Sequence, residues 1–94
     1  TVTLDWLMQH FPSPSVLKID VEGGEVGVLQ GGRNLLSKAQ PIILCEVLAR
    51  NTERVTDLLR LHGYDIFDLC VSPAARVPLE RAVFNTLAIP QKLQ

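Results

Sequence analysis

Acidic side chains lie near the ends of two short apolar runs in this sequence, at residues 16–21 and 42–48. Asp20 comes late in the first run, and Glu46 comes late in the second. If the runs are neighbouring parallel strands, about 5 Å apart, both carboxylates point into one crevice at the carboxyl ends of the strands. Two carboxylates that close push each other's pKa values apart, leaving one as a potential general base and the other as a hydrogen-bond acceptor.

Three more charged residues lie close to this pair in the sequence. Glu22 and Glu25 occupy the loop and first helical turn beyond Asp20, where free backbone N–H groups can bind a carboxylate or a ligand oxygen. Structural alternatives stay open for both, because Glu22 suits a solvated surface and Glu25 suits a helix N-terminus. Lys18 interrupts an apolar strand, and packing of its stem at a sheet edge is favoured over pairing with an acid. For Asp20 and Glu46 we favour function over capping, since an unpaired carboxylate after a buried strand is costly.

The elements that position these residues alternate between helix and strand. In chain order, the pattern predicts a helix at 3–11 with Thr3 as its N-cap, a strand at 16–21, a helix at 25–38, a strand at 42–48, a helix capped by Asn51 or Thr52 with Gly63 at its C′ position, and strands at 64–69 and 82–89. The glycines of the second helix are expected to allow a close backbone approach there. Alternation implies parallel strands with right-handed crossovers. The last two strands are joined without a helix, so we expect them to pair antiparallel. The predicted fold class is α/β.

Composition excludes several classes of function. The chain has 94 residues, of which 47% are hydrophobic, so it is one domain or part of one and has apolar area for a core. Nine basic and ten acidic side chains leave a net charge of −1, which argues against binding of nucleic acid or anionic lipid through bulk charge. No apolar run approaches the roughly 20 residues that span a bilayer, so we expect no membrane partner. The chain begins at Thr1, and we expect it to be a piece of something longer.

Side chains that commonly bind metals are few and poorly spaced. Cys45 and Cys70 are too few for a disulfide framework or a metal cage, and both lie in apolar runs that favour buried, reduced thiols. His10 and His62 have no partners at the spacing of metal ligands or of a catalytic triad. We therefore expect no metal site, and we expect a reducing compartment, the cytoplasm.

Residues 17–25, L-K-I-D-V-E-G-G-E, with V-L-Q-G at 28–31, carry a recognisable pattern. They resemble the signature of the FkbM-type methyltransferases, which reads approximately K-I-D-V-E-G-x-E followed by V-L-x-G. Further similar stretches are T-L-D-x-L at 3–7, P-x-I-x-C-E-V at 41–47, L-x-x-x-G-Y at 59–64 and N-x-L-A-x-P at 85–90. The resemblance covers nearly the whole chain in order.

The resemblance implies the carboxyl-terminal half of a Rossmann-like methyltransferase domain that depends on S-adenosylmethionine. Residues 1–94 would then be a partial domain with the fourth to seventh strands of a seven-stranded sheet. Members of the family are associated with O-methylation of small molecules and sugar-containing products, so the implied partner is a small-molecule methyl acceptor.

The resemblance also implies roles for individual residues. Asp20 and Glu22 match the family's acidic motif at the end of the fourth strand, facing the methyl-transfer site, and Glu46 matches the end of the fifth. Asp20 would orient or deprotonate the acceptor hydroxyl, with Glu46 supporting it. Glu22, Glu25 and Lys18 would lie on the substrate or cofactor side.

One element of such enzymes is not found in this sequence. No strand, G-x-G loop and helix precede residue 16, and this element holds the cofactor in the family. The chain alone is therefore expected to bind S-adenosylmethionine poorly and to be inactive. Its first strand would be bare on one side, which predicts a homodimer or pairing with the missing amino-terminal half.

Two other classes of protein stay open as alternatives. The first is a non-catalytic α/β assembly or interaction module whose acids are solvated caps. The second, which is weaker, is a response-regulator-like domain, because the acidic pair and the lysine that such a domain needs are not found at the required strands.

Overall fold

Four strands form one mixed sheet in this computed structural model, which describes residues 3–94. The main elements are α1 (Leu4–His10), β1 (Val16–Ile19), α2 (Glu25–Gln30), β2 (Ile42–Glu46), α3 (Thr52–Leu61), β3 (Tyr64–Asp68) and β4 (Asn85–Pro90). A π-helical segment at Leu35–Ala39 and 3₁₀ turns at Ala49–Asn51, Pro73–Ala75 and Gln91–Leu93 lie between or after them. The prediction of an α/β protein is confirmed.

The strand order in the sheet is β1-β2-β4-β3. Strands β1 and β2 are parallel, and β4 is antiparallel to both β2 and β3. The predicted antiparallel pairing of the last two strands is therefore confirmed, and β4 lies between β2 and β3. Strand β1 is at one edge of the sheet, where residues 3–94 give it β2 as its single neighbour.

The strands are shorter than those predicted from the apolar runs of the sequence. Strand β1 stops at Ile19 rather than at residue 21, because the chain turns at Glu22 and Gly23 with φ angles of 45° and 102°. Both angles lie in the left-handed region that favours glycine. Strand β4 begins at Asn85 rather than at residue 82, since Ala82 and Val83 donate backbone hydrogen bonds to threonine hydroxyls.

The prediction of a single helix from residue 25 to Lys38 is wrong. Helix α2 ends before a glycine turn, and the π-helical segment follows it. At Gly32 the side chain of Leu4 comes so close that a Cβ would lie 2.9 Å from Leu4 Cδ1. Asp5 accepts a hydrogen bond from the Leu35 N–H at 3.0 Å, and so caps the start of the second segment. The close backbone approach expected at the glycines thus divides the helix in two.

Helix α1 lies on the surface and buries none of its side chains. The Trp6 N–H donates to Thr3 Oγ1 at 3.1 Å, which confirms Thr3 as the N-cap. The Trp6 ring stacks on His10, with ring centroids 3.9 Å apart. No helix of the described residues is long and apolar enough to cross a membrane.

The core lies on one face of the sheet, beneath α2, the π-helical segment and α3. Alternate residues of β2, Ile43 and Cys45, point into it, as expected for a strand with one buried face. At the far end of the core the Tyr64 hydroxyl donates to the Pro41 carbonyl at 2.6 Å. The buried apolar cluster consists of Ile19, Leu29, Leu36, Ile43, Cys45, Val47, Val55, Leu58, Leu59, Tyr64, Ile66, Ala82 and Ala88.

Candidate functional site

The carboxyl ends of β1 and β2 bring the two predicted carboxylates together. The register pairs Ile19 with Cys45, so Asp20 and Glu46 are the next residues along neighbouring parallel strands. They are close enough for Asp20 to accept a hydrogen bond from the protonated Glu46 carboxyl, which contributes to the raised pKa of Glu46. Asp20 is exposed and Glu46 is half-buried, so both can be reached from the sheet edge. The juxtaposition expected from the strand pattern is present, and its catalytic role stays a prediction.

The pKa of the Glu46 carboxyl is raised above its ordinary value of 4.5. Burial is the largest cause, followed by the hydrogen bond and the negative charge of Asp20; the charge of Glu22 adds to the shift. The charge of Lys18 opposes it. Glu46 therefore holds a proton at a higher pH than an ordinary glutamate, which suits a group that accepts a proton from a hydroxyl.

Lys18 lies on β1 before Asp20, and Glu22 follows Asp20 in the turn. Lys18 is exposed on the edge strand opposite Leu44, in agreement with the edge position favoured by the sequence. Glu22 is exposed in the turn after Asp20, where a solvated side chain and a substrate-side role are both possible. The charges of both residues act on the Glu46 carboxyl.

Glu25 differs from Asp20, Glu22 and Glu46 because its side chain is completely buried. Its Oε1 accepts a hydrogen bond from Asn51 Nδ2, and Oε2 has no hydrogen-bond partner among the described residues. The same Asn51 amide donates to the Gly23 carbonyl at 3.1 Å. Buried this way, Glu25 favours the structural alternative over the substrate-side role.

Asn51 is the residue whose role sequence reasoning missed. It was predicted as a possible side-chain cap for α3, but at that position its side chain makes no capping hydrogen bond. Its amide instead joins the start of α3 to the turn that follows β1. The residue type is the one hint in the sequence, because the asparagine amide offers two N–H donors. Nothing in the sequence indicates that one of them bonds to Glu25, which is 26 residues away.

A small cavity opens beside the acidic pair. It has a volume of about 180 Å³ and is lined by Lys18, Leu44, Glu46, Leu69, Asn85 and Thr86, among others. This is less than the roughly 300–1,000 Å³ of typical small-molecule sites. Within residues 3–94 no group of three His, Cys, Asp or Glu side chains is arranged to hold a metal ion.

The residues present do not form a complete site for S-adenosylmethionine. The glycine turn after β1 is already occupied, because the Arg50 guanidinium fills the position that a Cβ on Gly23 would take. A glycine-rich cofactor loop instead leaves its backbone open for the ligand to approach. The cavity beside Glu46 is also too small for a nucleoside-sized molecule.

Comparison with known proteins gives a match at the level of the family. The model described as "Methyltransferase FkbM domain" matches residues 1–66. The matched part runs through α3 into β3, and it contains Asp20, Glu46 and the glycine turn. A search of curated proteins found no match, and neither did a search of solved structures.

Proposed function

Because this chain belongs to the FkbM methyltransferase family, we propose that residues 1–94 are the carboxyl-terminal half of a Rossmann-like methyltransferase domain. The resemblance found in the sequence is thereby confirmed at the family level. Support for the finer proposal comes from parallel β1 and β2, joined by a helical crossover, and from a last strand that reverses direction. In this proposal β1 to β4 are the fourth to seventh strands of the complete sheet.

The proposed activity is O-methylation of a small-molecule or sugar hydroxyl. The observation that carries it is the Asp20–Glu46 pair at the carboxyl ends of two parallel strands, with the pKa of Glu46 raised. Asp20 accepts a hydrogen bond from the acceptor hydroxyl and fixes its direction. Glu46, beside it, accepts the proton that the hydroxyl loses as its oxygen becomes a nucleophile.

S-adenosylmethionine is the usual methyl donor that the family implies. Its adenosine and ribose would be held by the part of the domain that carries the first strands and the glycine-rich loop. The 94-residue chain is therefore proposed to be inactive by itself. The free thiols of Cys45 and Cys70 support a reducing compartment, so we place the protein in the cytoplasm as part of this proposal.

Two experiments test this proposal. Isothermal titration of the 94-residue chain with S-adenosylmethionine is expected to show no saturable binding, and a micromolar constant would contradict the missing-half assignment. The second uses the chain extended by the coding sequence upstream of residue 1 in its gene. There, D20N and E46Q are expected to lower kcat by about 10²–10⁴-fold, while E80Q, at an exposed position, leaves it unchanged.

A non-catalytic assembly module is the second candidate, and the outer edge of β1, which residues 3–94 leave without a neighbouring strand, favours it. In that case the extended chain would lack a G-x-G loop upstream. D20N and E46Q would then change the association with partners, and neither the wild type nor the variants would show methyl transfer.

A further inference from the structure

Among residues 3–94, Glu25 is the one acidic side chain that is completely buried. Its Oε1 accepts a hydrogen bond from Asn51 Nδ2, while Oε2 has no partner in that part of the chain. Burial of a carboxyl group with an unsatisfied oxygen lowers stability, so such a group calls for an explanation beyond packing. Departures of this kind concentrate at functional sites, yet the proposed chemistry does not use Glu25 directly.

The contact between Glu25 and Asn51 joins the two loops that follow β1 and β2. Asn51 comes at the end of the loop after β2, and its amide also donates to the Gly23 carbonyl at 3.1 Å. Two residues that precede Asn51 contact Gly23 as well. The Arg50 guanidinium lies where a Gly23 Cβ would be, and Leu48 Cδ1 lies 3.4 Å from that position. The loop after β1 is thus held by the loop after β2.

The loop that is held in this way determines where Asp20 lies. Strand β1 ends one residue before Asp20, so this residue lies between the strand and the turn at Glu22 and Gly23. The left-handed backbone of Glu22 costs free energy in a residue with a side chain, and it persists only where its surroundings hold it. Glu46 belongs to β2 and is fixed by the sheet. A change in the turn therefore moves Asp20 relative to Glu46.

We propose that Glu25 and Asn51 are positioning residues of the candidate site. Their buried contact keeps Asp20 within hydrogen-bond distance of Glu46. Glu25 acts through the turn, because the charges that act on the Glu46 carboxyl are those of Asp20, Glu22 and Lys18. The catalytic consequence rests on the proposed function, whereas the distance between the two carboxyl groups is a property of the chain itself.

The test is an NMR titration of the Glu46 carboxyl carbon in the 94-residue chain. D20A gives the reference, because it removes the partner that helps to raise the pKa of Glu46. N51A and E25A are expected to lower this pKa as D20A does, since Asp20 then leaves its place. E25Q keeps an acceptor for the Asn51 amide and is expected to leave the pKa of Glu46 raised. The matched control is N34A, at an exposed asparagine, which is expected to titrate as wild type.

Two further measurements separate positioning from a loss of stability. Far-ultraviolet circular dichroism of each sample confirms that the titrated chain is folded. N51S is a milder change that keeps one donor, and it is expected to lie between wild type and N51A, so the comparison stands if N51A does not fold. The Gly24 amide, which closes the turn by donating to the Val21 carbonyl at 3.2 Å, is expected to exchange faster in N51S and N51A than in wild type.

A merely structural contact would lower stability and leave the titration of Glu46 in the folded chain unchanged. The inference is overturned if D20A lowers the pKa of Glu46 while N51A, N51S and E25A keep the wild-type value. It is also overturned if D20A has no effect, if E25Q lowers this pKa as far as N51A does, or if the exchange of the Gly24 amide is unchanged. None of these outcomes depends on methyl transfer, so a failure of the proposed function in the D20N and E46Q assay is distinguished from a failure here.

Discussion

At the scale of single residues, Asp20 and Glu46 show how two carboxyl groups of one site acquire different properties. Asp20 comes directly after the end of β1 and is exposed, whereas Glu46 is the last residue of β2 and is half-buried. Burial and the neighbouring negative charges raise the pKa of Glu46. The two residues hold equivalent positions in the register, and the raised pKa makes Glu46 a stronger base than an ordinary glutamate.

The raised pKa of Glu46 has a consequence for stability as a function of pH. The folded protein binds this proton more tightly than the unfolded chain does, so the stabilising contribution is complete below pH 4.5. It is lost as the pH rises through the raised pKa of the folded state. E46Q imitates the protonated form, since its neutral amide can also donate a hydrogen bond to Asp20.

We therefore expect E46Q to melt at a higher temperature than wild type at pH 7 and at the same temperature at pH 3.5. Thermal unfolding followed by circular dichroism across this range measures the difference, with E80Q as the exposed control. A Tm difference between E46Q and wild type that is constant with pH would contradict the assignment of the raised pKa to Glu46.

The two cysteines are expected to differ sharply in reactivity. Burial, followed by the charges of Glu25 and Glu46, raises the pKa of the Cys45 thiol to about 12. Cys70 is exposed. In native protein at pH 8, a colorimetric thiol reagent is expected to modify Cys70 rapidly and Cys45 only on unfolding, because the thiolate is the reactive form. Equal rates for wild type and C70S would show this to be wrong.

At the scale of elements, the Asn51 amide connects the start of α3 to the turn after β1. Through Gly23 and Glu25 it holds the segment that carries Asp20 and Glu22. The turn has two consecutive left-handed residues and would otherwise be free to rearrange. The geometry of the exposed acids therefore depends on a buried contact from another helix.

N51A is expected to lower the free energy of unfolding by about 1–3 kcal/mol, since it leaves a buried carboxylate and a carbonyl without their donor. Urea denaturation measures the loss, and N34A, at an exposed asparagine, is the matched control. The double variant N51A/E25Q should recover part of the stability, because E25Q replaces the buried carboxyl group with a neutral amide. An N51A loss no larger than that of N34A would refute the connecting role.

At the scale of the whole molecule, the order of helices and strands could be predicted from sequence because hydrophobic periodicity and turn residues are local signals. The meeting of Asp20 and Glu46 followed from a general property of parallel strands. The division of the helix at Gly32 did not, because it depends on the approach of Leu4 from a distant segment. Nor did the burial of Glu25 or the place of β4 between β2 and β3, since both depend on pairings between distant parts of the chain.

The stacking of Trp6 on His10 makes α1 observable by itself. Trp6 is the chain's single tryptophan, and it lies on a surface helix and is not part of the buried cluster. Intrinsic fluorescence therefore reports the local state of α1, whereas circular dichroism in the far ultraviolet reports the sheet and helices together. Denaturation curves from the two signals need not coincide, and a gap between them would measure how independently this helix detaches.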